Sequence, residues 1–176
     1  MKRIGLLSDT HGELDPRVFE YFAACDEIWH AGDFGEGVAQ RLCAYKPLKG
    51  VYGNIDTPQL KESFPLDLRF ECEGVDVWMT HIGGYPGRYD RRVRSLLEQD
   101  APRLFVCGHS HVLRIMRDLK RSGMLVVNPG AAGKAGFHRV RTLVRFTVAA
   151  SKIGDVEVIE LGPRTPPRRG AADKLA

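Results

Sequence analysis

The chain begins with three units in which a short apolar run leads into a polar loop. The apolar runs at 3–7, 28–30 and 48–52 predict buried strands. Amphipathic stretches at 15–25 and 37–44 predict helices between them. Strands that alternate with helices are typical of a mostly parallel sheet, in which ligands bind at the carboxyl ends of the strands.

The second part of the chain is richer in strands than the first. Two apolar runs at 66–72 and 75–81, with Gly74 between them, predict a hairpin. A helix is predicted at 89–99, and strands are predicted at 103–108, 112–117, 124–127, 141–149 and 156–161. Parallel units followed by antiparallel pairs fit an α/β fold of two mixed sheets packed face to face, with helices outside.

Length and composition favour one domain over residues 1–162, because 176 residues with 43% hydrophobic content can bury a substantial core. Residues 163–176 are rich in proline, glycine and arginine and are predicted to form a disordered basic tail. The last residues of this tail could come from a cloning vector. Since part of the net charge of +4 lies in the tail, the domain is only mildly basic. An anionic substrate is permitted, and nucleic acid stays open without being indicated.

The four cysteines argue for a reducing compartment. Cys25, Cys43, Cys72 and Cys107 show no CxxC spacing, so neither a thiolate zinc site nor a disulfide framework is indicated. The first apolar run is too short for a signal peptide or a membrane span. We therefore expect a cytoplasmic protein with free thiols and no membrane contact.

Polar side chains of the kinds that bind metals follow five of the predicted strands. In chain order these strand ends carry Asp9 and His11, Asp33, Asn54 and Asp56, His81, and His109 and His111. Turns at strand ends usually contain asparagine, aspartate or serine, so four of the six histidines at such positions indicate one ligand cluster. In an extended chain the period of two would put both members of each Asp-x-His or His-x-His pair on the same side.

The ligand types indicate which metals the cluster would hold. Imidazole, carboxylate and amide groups without thiolate suit Mn²⁺, Fe, Zn²⁺ or Ni²⁺ better than Ca²⁺ or Cu(I). Seven candidate ligands are too many for one ion and fit two ions that share a carboxylate. The carboxylates Asp9 and Asp33 cancel only part of the charge of such a pair, so the site attracts a phosphodiester anion. Two ions of this kind can hold a hydroxide near neutral pH and clamp both oxygens of an in-line displacement.

Together the motifs Asp9-x-His11, Gly32-Asp33, Gly53-Asn54, His81 and Gly108-His109-x-His111 resemble those of the calcineurin-like metallophosphoesterases. The resemblance covers about residues 3–161, and the short chain is similar to the small bacterial and archaeal phosphodiesterase branch. It implies a four-layer α/β/β/α sandwich with two divalent ions at the strand ends, Mn²⁺ before Ni²⁺, Zn²⁺, Fe or Mg²⁺.

The same resemblance implies a role for each ligand. Asp9, His11 and His111 would bind one ion, Asn54, His81 and His109 the other, and Asp33 would lie between the two ions. Asp33, Asn54 and His81 form the predicted catalytic set, in which Asn54 can also bond a phosphoryl oxygen. Asp56 is not expected to bind an ion itself. It is expected to support the ligands, either by holding the Asn54 loop or by orienting a ligand histidine.

One position departs from the pattern of the family. Many members carry a histidine after the asparagine of the third motif, and it protonates the leaving group or holds the phosphate, whereas this chain has Ile55. Because proton transfer from a positioned side chain contributes about 10²- to 10⁴-fold, we expect slow hydrolysis of poor leaving groups or a different proton donor.

Several other polar residues are expected to be structural. His30 is interpreted as a buried, hydrogen-bonded strand residue and Asn128 as part of a turn. His138 is interpreted as a surface residue, with substrate contact as the alternative, and Lys134 is a candidate phosphate contact. The arginines Arg88, Arg91 and Arg92 are interpreted as a solvated helix face, with a phosphate-attracting rim as the alternative.

These patterns favour a metal-dependent phosphoesterase, in particular a phosphodiesterase that acts on a small phosphorylated substrate through a metal-held hydroxide. A phosphomonoesterase or a nuclease on the same site stays an alternative. So does a non-catalytic scaffold, because the retromer subunit that resembles this family uses the sandwich to bind proteins. The natural substrate, the metal and the oligomeric state, a homo-oligomer included, stay open.

Overall fold

Two mixed five-stranded sheets form the centre of the computed structural model, which describes residues 1–165. The first part of the chain contains β1 (Lys2–Leu7), α1 (Arg17–Tyr21), β2 (Glu27–His30), α2 (Val38–Tyr45), β3 (Leu48–Gly50) and α3 (Pro58–Ser63). The second part contains β4 (Asp67–Cys72), β5 (Val75–Thr80), β6 (Gly84–Tyr85), β7 (Arg88–Tyr89), α4 (Arg91–Gln99), β8 (Leu104–Val106), β9 (Arg114–Asp118), a 3₁₀ turn (Leu119–Arg121), β10 (Met124–Asn128), β11 (Val140–Ala149) and β12 (Lys152–Pro163).

Each sheet is built around three parallel strands. The first sheet has the order β12-β11-β1-β2-β3, in which β1, β2 and β3 are parallel. The second has the order β4-β5-β8-β10-β9, in which β5, β8 and β10 are parallel. Antiparallel strands complete both sheets. Two sets of parallel strands therefore bring their carboxyl ends to two neighbouring sheet edges.

The apolar residues divide into three layers of core. Between the sheets, side chains such as Ile4 and Leu6 of β1 pack with Val77 and Met79 of β5. On the outer face of the first sheet, residues of α1 and α2 cover Leu7 and Ile28, and on the outer face of the second sheet α4 covers Trp78 and Phe105. Successive strand residues point to opposite faces, so each central strand serves two layers. The predicted sandwich of two sheets with helices outside is confirmed.

The local differences from the predicted elements have identifiable causes. Helix α3 was not predicted, although the sequence contains its start signal: Thr57 accepts a hydrogen bond from the backbone of Leu60, and Pro58 follows directly. Helix α4 begins at Arg91 rather than at 89, because the Asp90 side chain caps it. The two residues before this cap, Arg88 and Tyr89, pair with β6 in a small ribbon.

Only the beginning of the predicted tail can be described. Pro163 is the last residue of β12, and the Arg164 backbone N–H donates to Arg139 O (2.9 Å). The remainder of the predicted tail, residues 166–176, lies outside the described residues. Among residues 1–165, no helix has the length and apolarity needed to cross a membrane.

A nearly buried carboxylate connects the amino ends of the first three strands. Glu27 accepts hydrogen bonds from Lys2 Nζ (2.8 Å), Lys49 Nζ (2.7 Å) and Trp29 Nε1 (2.9 Å). Burial alone would raise the pKa of Glu27, but the bonds and charges of the two lysines outweigh it and lower the pKa to about 2. The folded protein therefore holds this group ionised below the pH at which an unfolded chain would protonate it.

We expect Glu27→Gln to lower the free energy of unfolding by about 2 to 3 kcal/mol at pH 7. Because the pKa is lower in the folded state, this stability is present above the unfolded pKa of about 4.5. It should be lost as the pH falls through the folded value of about 2. Urea unfolding at several pH values measures the difference. The exposed Glu71→Gln on β4 is the control and should change stability by less than about 0.5 kcal/mol. Equal stabilities of wild type and Glu27→Gln at pH 7 would contradict the expectation.

Candidate metal centre

Six of the seven predicted ligands converge where the central strands of the two sheets end. Two groups form, one of Asp9, His11 and His111 and one of Asp33, His81 and His109, and within each the ligand atoms lie within 4.8 Å of one another. Each group combines residues that follow strands of the first sheet with residues that follow strands of the second. The site thus depends on how the two sheets pack together.

The two carboxylates lie close to the imidazoles of both groups. Asp33 Oδ2 is 3.3 Å from His81 Nε2 and 3.7 Å from His11 Nε2. Asp9 Oδ1 is 3.2 Å from His111 Nε2 and 4.0 Å from His81 Nε2. The groups are therefore neighbours, and Asp33 and Asp9 each lie close to an imidazole of both groups.

Five of the ligand residues have a left-handed backbone. The φ angles of Asp9, His11, Asp33, His109 and His111 lie between 49° and 66°. Such a conformation is uncommon for residues other than glycine and costs about 1 to 3 kcal/mol each where the surroundings impose it. Several residues with this backbone conformation in one place are typical of a functional site.

This backbone corrects the expectation based on an extended chain. Strands β1 and β8 end at Leu7 and Val106, before the ligand pairs begin, so the period of two does not apply to them. His109 and His111 belong to different groups, as the resemblance implies, whereas Asp9 and His11 belong to one group. The loop conformation, and not strand geometry, decides where each imidazole points.

Backbone hydrogen bonds between loops hold this conformation. Asp9 N–H donates to Gly32 O (3.0 Å), and His11 N–H donates to Asp33 O (3.0 Å), which joins the loops after β1 and β2. The backbone of His109 donates to Asp9 Oδ2 (3.2 Å), which orients that carboxylate. The ligand loops therefore support one another across the sheet edge.

His81 shows that the site requires a positive charge. Its Nδ1 lies 2.7 Å from Ala31 O, and because a carbonyl only accepts, Nδ1 carries the proton. Nε2 is buried, has no hydrogen-bond partner within residues 1–165, and lies 3.3 Å from Asp33 Oδ2, so either a proton or a cation at Nε2 is needed to remove the repulsion between the two atoms. Burial lowers the pKa of His81, but the nearby carboxylates of Asp33 and Asp9 outweigh burial and raise it. A cation beside Nε2 would remove the repulsion, and a backbone carbonyl on the other nitrogen is the usual support of a metal-binding histidine.

The loop after β3 supports Asp33. Asp56 is buried and accepts hydrogen bonds from the backbone N–H groups of Gly35 (3.0 Å) and Gly53 (2.8 Å), so it joins this loop to the loop after β2. Ile55 N–H donates to Asp33 Oδ1 (3.1 Å), whereas the Ile55 side chain is exposed. Asn54 is exposed and lines a groove with His81.

Two residues near the centre were assigned other roles by the sequence. Asn128 was interpreted as a turn residue, and its Oδ1 does accept from Gly130 N (3.0 Å), but its Nδ2 also donates to Gly108 O (2.7 Å). Asn128 therefore clamps the loop that carries His109. No sequence pattern could have indicated this contact, because the partners meet only through the pairing of β8 with β10.

His138 was expected at the surface, and it lies half-buried in a surface groove beside the centre. Its ring lies 5.3 Å from the ring of His111, its Nε2 is 3.0 Å from Gly133 O, and the residue is partly buried. The loop after β10 reaches back over the ends of β1 and β8, which the sequence did not reveal. A candidate phosphate contact in that loop, Lys134, instead pairs with Glu13.

The expectation for His30 is confirmed. The residue is fully buried, its Nδ1 accepts from Gly32 N–H (3.2 Å), and its Nε2 lies 3.0 Å from Thr10 Oγ1. Burial lowers the pKa of His30 well below its usual value, so the ring is neutral. Both ring nitrogens of His30 therefore bond residues of the loops that carry the candidate ligands.

The close approach at Gly53 provides a test of the site's rigidity. A Cβ atom at this position would lie 2.0 Å from Asp33 Oδ1 and 2.3 Å from Asp33 N, so Gly53→Ala must displace Asp33. We expect Mn²⁺ affinity to fall about 10- to 100-fold, the scale for disturbing the support of a ligand. Calorimetric titration of chelator-stripped protein measures it. The control is Gly154→Ala, whose Cβ would meet Thr147 Oγ1 at 3.3 Å. Unchanged affinity in Gly53→Ala would show that Asp33 is not held this tightly.

Comparison with known proteins relates the chain to a family and to solved structures of the same fold. The sequence model of the calcineurin-like phosphoesterase superfamily domain matches residues 1–151. A search of curated proteins found no match.

Three solved structures share the fold. An archaeal phosphodiesterase has a TM-score of 0.72 at 20% identity, over 90% of this chain and 99% of its own. A conserved protein from Streptococcus pneumoniae, described as a predicted phosphoesterase, has a TM-score of 0.67 at 20% identity, over 90% and 89%. Vps29 from Entamoeba histolytica, complexed with Zn²⁺, has a TM-score of 0.68 at 16% identity, over 93% and 99%.

Proposed function

The chain belongs to the calcineurin-like phosphoesterase superfamily, and from this premise we propose that it hydrolyses phosphodiesters at a centre of two divalent metal ions. The observation that carries the proposal is the pair of adjoining ligand groups, with the Asp33 carboxylate close to imidazoles of both. The archaeal phosphodiesterase of the same fold supports the choice of a diester. Four free thiols suit a reducing compartment such as the cytoplasm.

We assign Asp9, His11 and His111 to one ion, His81, His109 and Asn54 to the other, and Asp33 to both. When bound, the ions supply Lewis-acid chemistry, lowering the pKa of water and neutralising charge that develops on the phosphate. Mn²⁺ is our first choice, since the donor set of imidazole, carboxylate and amide oxygen suits it.

The chain's own residues position the reaction. The backbone N–H of Ile55 donates to Asp33 Oδ1 and fixes this carboxylate. Its other oxygen, Oδ2, points toward the imidazoles. Asn54 is exposed beside His81, where its amide can bond a phosphoryl oxygen. The side chain at position 55 is an isoleucine and cannot protonate the leaving group. Substrates with good leaving groups, which need no proton, are therefore favoured.

We expect Ile55→His to raise kcat for diphenyl phosphate by up to about 10²-fold and to change kcat for bis-(p-nitrophenyl) phosphate much less. The added imidazole supplies a proton that phenolate needs more than p-nitrophenolate does. Steady-state rates with Mn²⁺ measure both effects. Val156→His, which adds an imidazole at an exposed apolar position of β12 outside both ligand groups, is the control. Equal acceleration of the two substrates by Ile55→His would argue against a missing acid.

The proposal itself is tested by adding Mn²⁺, Ni²⁺, Zn²⁺ or Mg²⁺ singly to chelator-stripped protein. Hydrolysis of bis-(p-nitrophenyl) phosphate is compared with that of p-nitrophenyl phosphate. Restored hydrolysis with a higher kcat/KM for the diester supports the proposal. A higher kcat/KM for the monoester would instead assign a phosphomonoesterase, and a steep salt dependence of polymer binding would point to a nuclease.

A non-catalytic scaffold is the second candidate, because Vps29 shares the fold. If no metal restores hydrolysis in folded protein, this candidate takes first place.

A further inference from the structure

Two grooves adjoin the candidate metal centre. One, the Tyr52 groove, is lined by Tyr52, Asn54, Leu66, His81 and Arg92 among others and has a volume of about 280 Å³. The other, the Phe137 groove, is lined by His109, His111, Val112, Phe137 and His138 among others and has a volume of about 310 Å³. Both are close to the lower limit of small-molecule sites, roughly 300 Å³.

The grooves approach each other at the ligands. His81 lines the Tyr52 groove and His109 lines the Phe137 groove, and the rings of these two histidines lie 5.2 Å apart. The ligands of one group therefore separate the grooves by little more than a ring width. A group bound at the centre can extend into both.

The rim of the centre is unexpectedly apolar. Ile55, Ile82 and Val112 are exposed, and each directly follows a candidate ligand in the sequence. Phe137 is fully exposed and follows Gly136, which touches the ring of His111. Single exposed apolar residues are common, but a set that surrounds a charged centre marks a surface that binds apolar groups.

The two grooves differ in character. In the Phe137 groove an aromatic face stands beside Val112 and offers a stacking surface for a planar ring. The Tyr52 groove combines the apolar Leu66 and Ile82 with Arg92, whose guanidinium is already bonded to Asp67 Oδ2 (2.6 Å) and Thr80 Oγ1 (2.9 Å). Because Arg92 is paired there, and because the Asp90 carboxylate, which also lines the groove, would repel a second phosphate, the groove suits an uncharged group.

We propose that the two grooves hold the two ester arms of the substrate, an aromatic ring in the Phe137 groove and a second uncharged, ring-sized group in the Tyr52 groove. This inference rests on the proposed phosphodiesterase function and narrows its substrate class. A monoester would leave one groove empty, and a dimethyl ester would leave both nearly empty. The phosphate of a two-armed diester lies at the junction, where the ligands of both groups converge.

The test compares two diesters and three variants. Wild-type protein with Mn²⁺ should show a KM about tenfold lower for bis-(p-nitrophenyl) phosphate than for methyl p-nitrophenyl phosphate. Phe137→Ala and Leu66→Ala should each raise the KM for the first substrate about three- to tenfold, with kcat changed less than about twofold. Leu119→Ala, an exposed leucine in the 3₁₀ turn after β9, is the control and should change neither constant.

A binding measurement separates the two proposals. Calorimetry should show diphenyl phosphate binding about tenfold more tightly than dimethyl phosphate, with this advantage reduced in Phe137→Ala and kept in Leu119→Ala. If diphenyl phosphate binds in this way but nothing is hydrolysed, the phosphodiesterase proposal fails and the two-armed site stands. The two-armed site is overturned if diesters are hydrolysed but the two substrates have equal KM values, the two phosphates bind equally well, and neither Phe137→Ala nor Leu66→Ala changes these constants.

Discussion

Replacing Asp33 with asparagine is expected to lower metal-dependent diester hydrolysis by more than about 10²-fold, a larger loss than that for disturbing an outer partner of a ligand. Asp33 is buried and close to imidazoles of both groups, so one substitution removes negative charge from both candidate ion positions. Asparagine has the same shape and tolerates the left-handed backbone that Asp33 adopts. The loss should therefore come from charge and not from misfolding.

The matched control for Asp33→Asn is Asp155→Asn. Asp155 also has a left-handed backbone, with φ of 49°, but it is exposed and bonds Thr147 Oγ1 (2.8 Å). Rates with Mn²⁺ and metal content by atomic emission are measured for both variants. Asp155→Asn should match the wild type in both. Retained activity or full metal content in Asp33→Asn would contradict the assignment of Asp33 to both ions.

Divalent metal is expected to stabilise the fold strongly. Without a cation, the site holds two buried carboxylates close together beside Nε2 of His81, which has no hydrogen-bond partner within residues 1–165. A ligand that binds only the folded state adds about 4 kcal/mol when its concentration is a thousandfold above the dissociation constant. For a chain of this size that corresponds to a rise in Tm of roughly 8 to 16 °C.

Calorimetric scans of stripped protein with and without Mn²⁺ measure this shift. Asp155→Asn should shift as much as the wild type, and Asp33→Asn should shift far less. Identical Tm values in chelator and in Mn²⁺ would show that the ligand groups do not hold an ion in the folded protein.

Much of the fold could be predicted because local patterns encode it. Strand β1 is a short apolar run whose last four residues are buried. The hairpin strands β4 and β5 are also short and are bounded by turn residues. Six ligands could be named for the same reason: parallel strands bring their carboxyl ends together wherever they pair. Elements without such a pattern, such as the two-residue strands of the β6–β7 ribbon, could not be predicted.

The sequence by itself determined the types of side chain at the strand ends and the arrangement of two sheets with helices outside. Only the tertiary structure decided that both ligand pairs lie in loops beyond the strand ends, that Asn128 clamps the loop of His109, and that His138 lies against His111. The physical reason is that these outcomes depend on left-handed loop backbones and on contacts between distant segments. Hydrogen bonds across the sheet edge impose both, and no local periodicity records them.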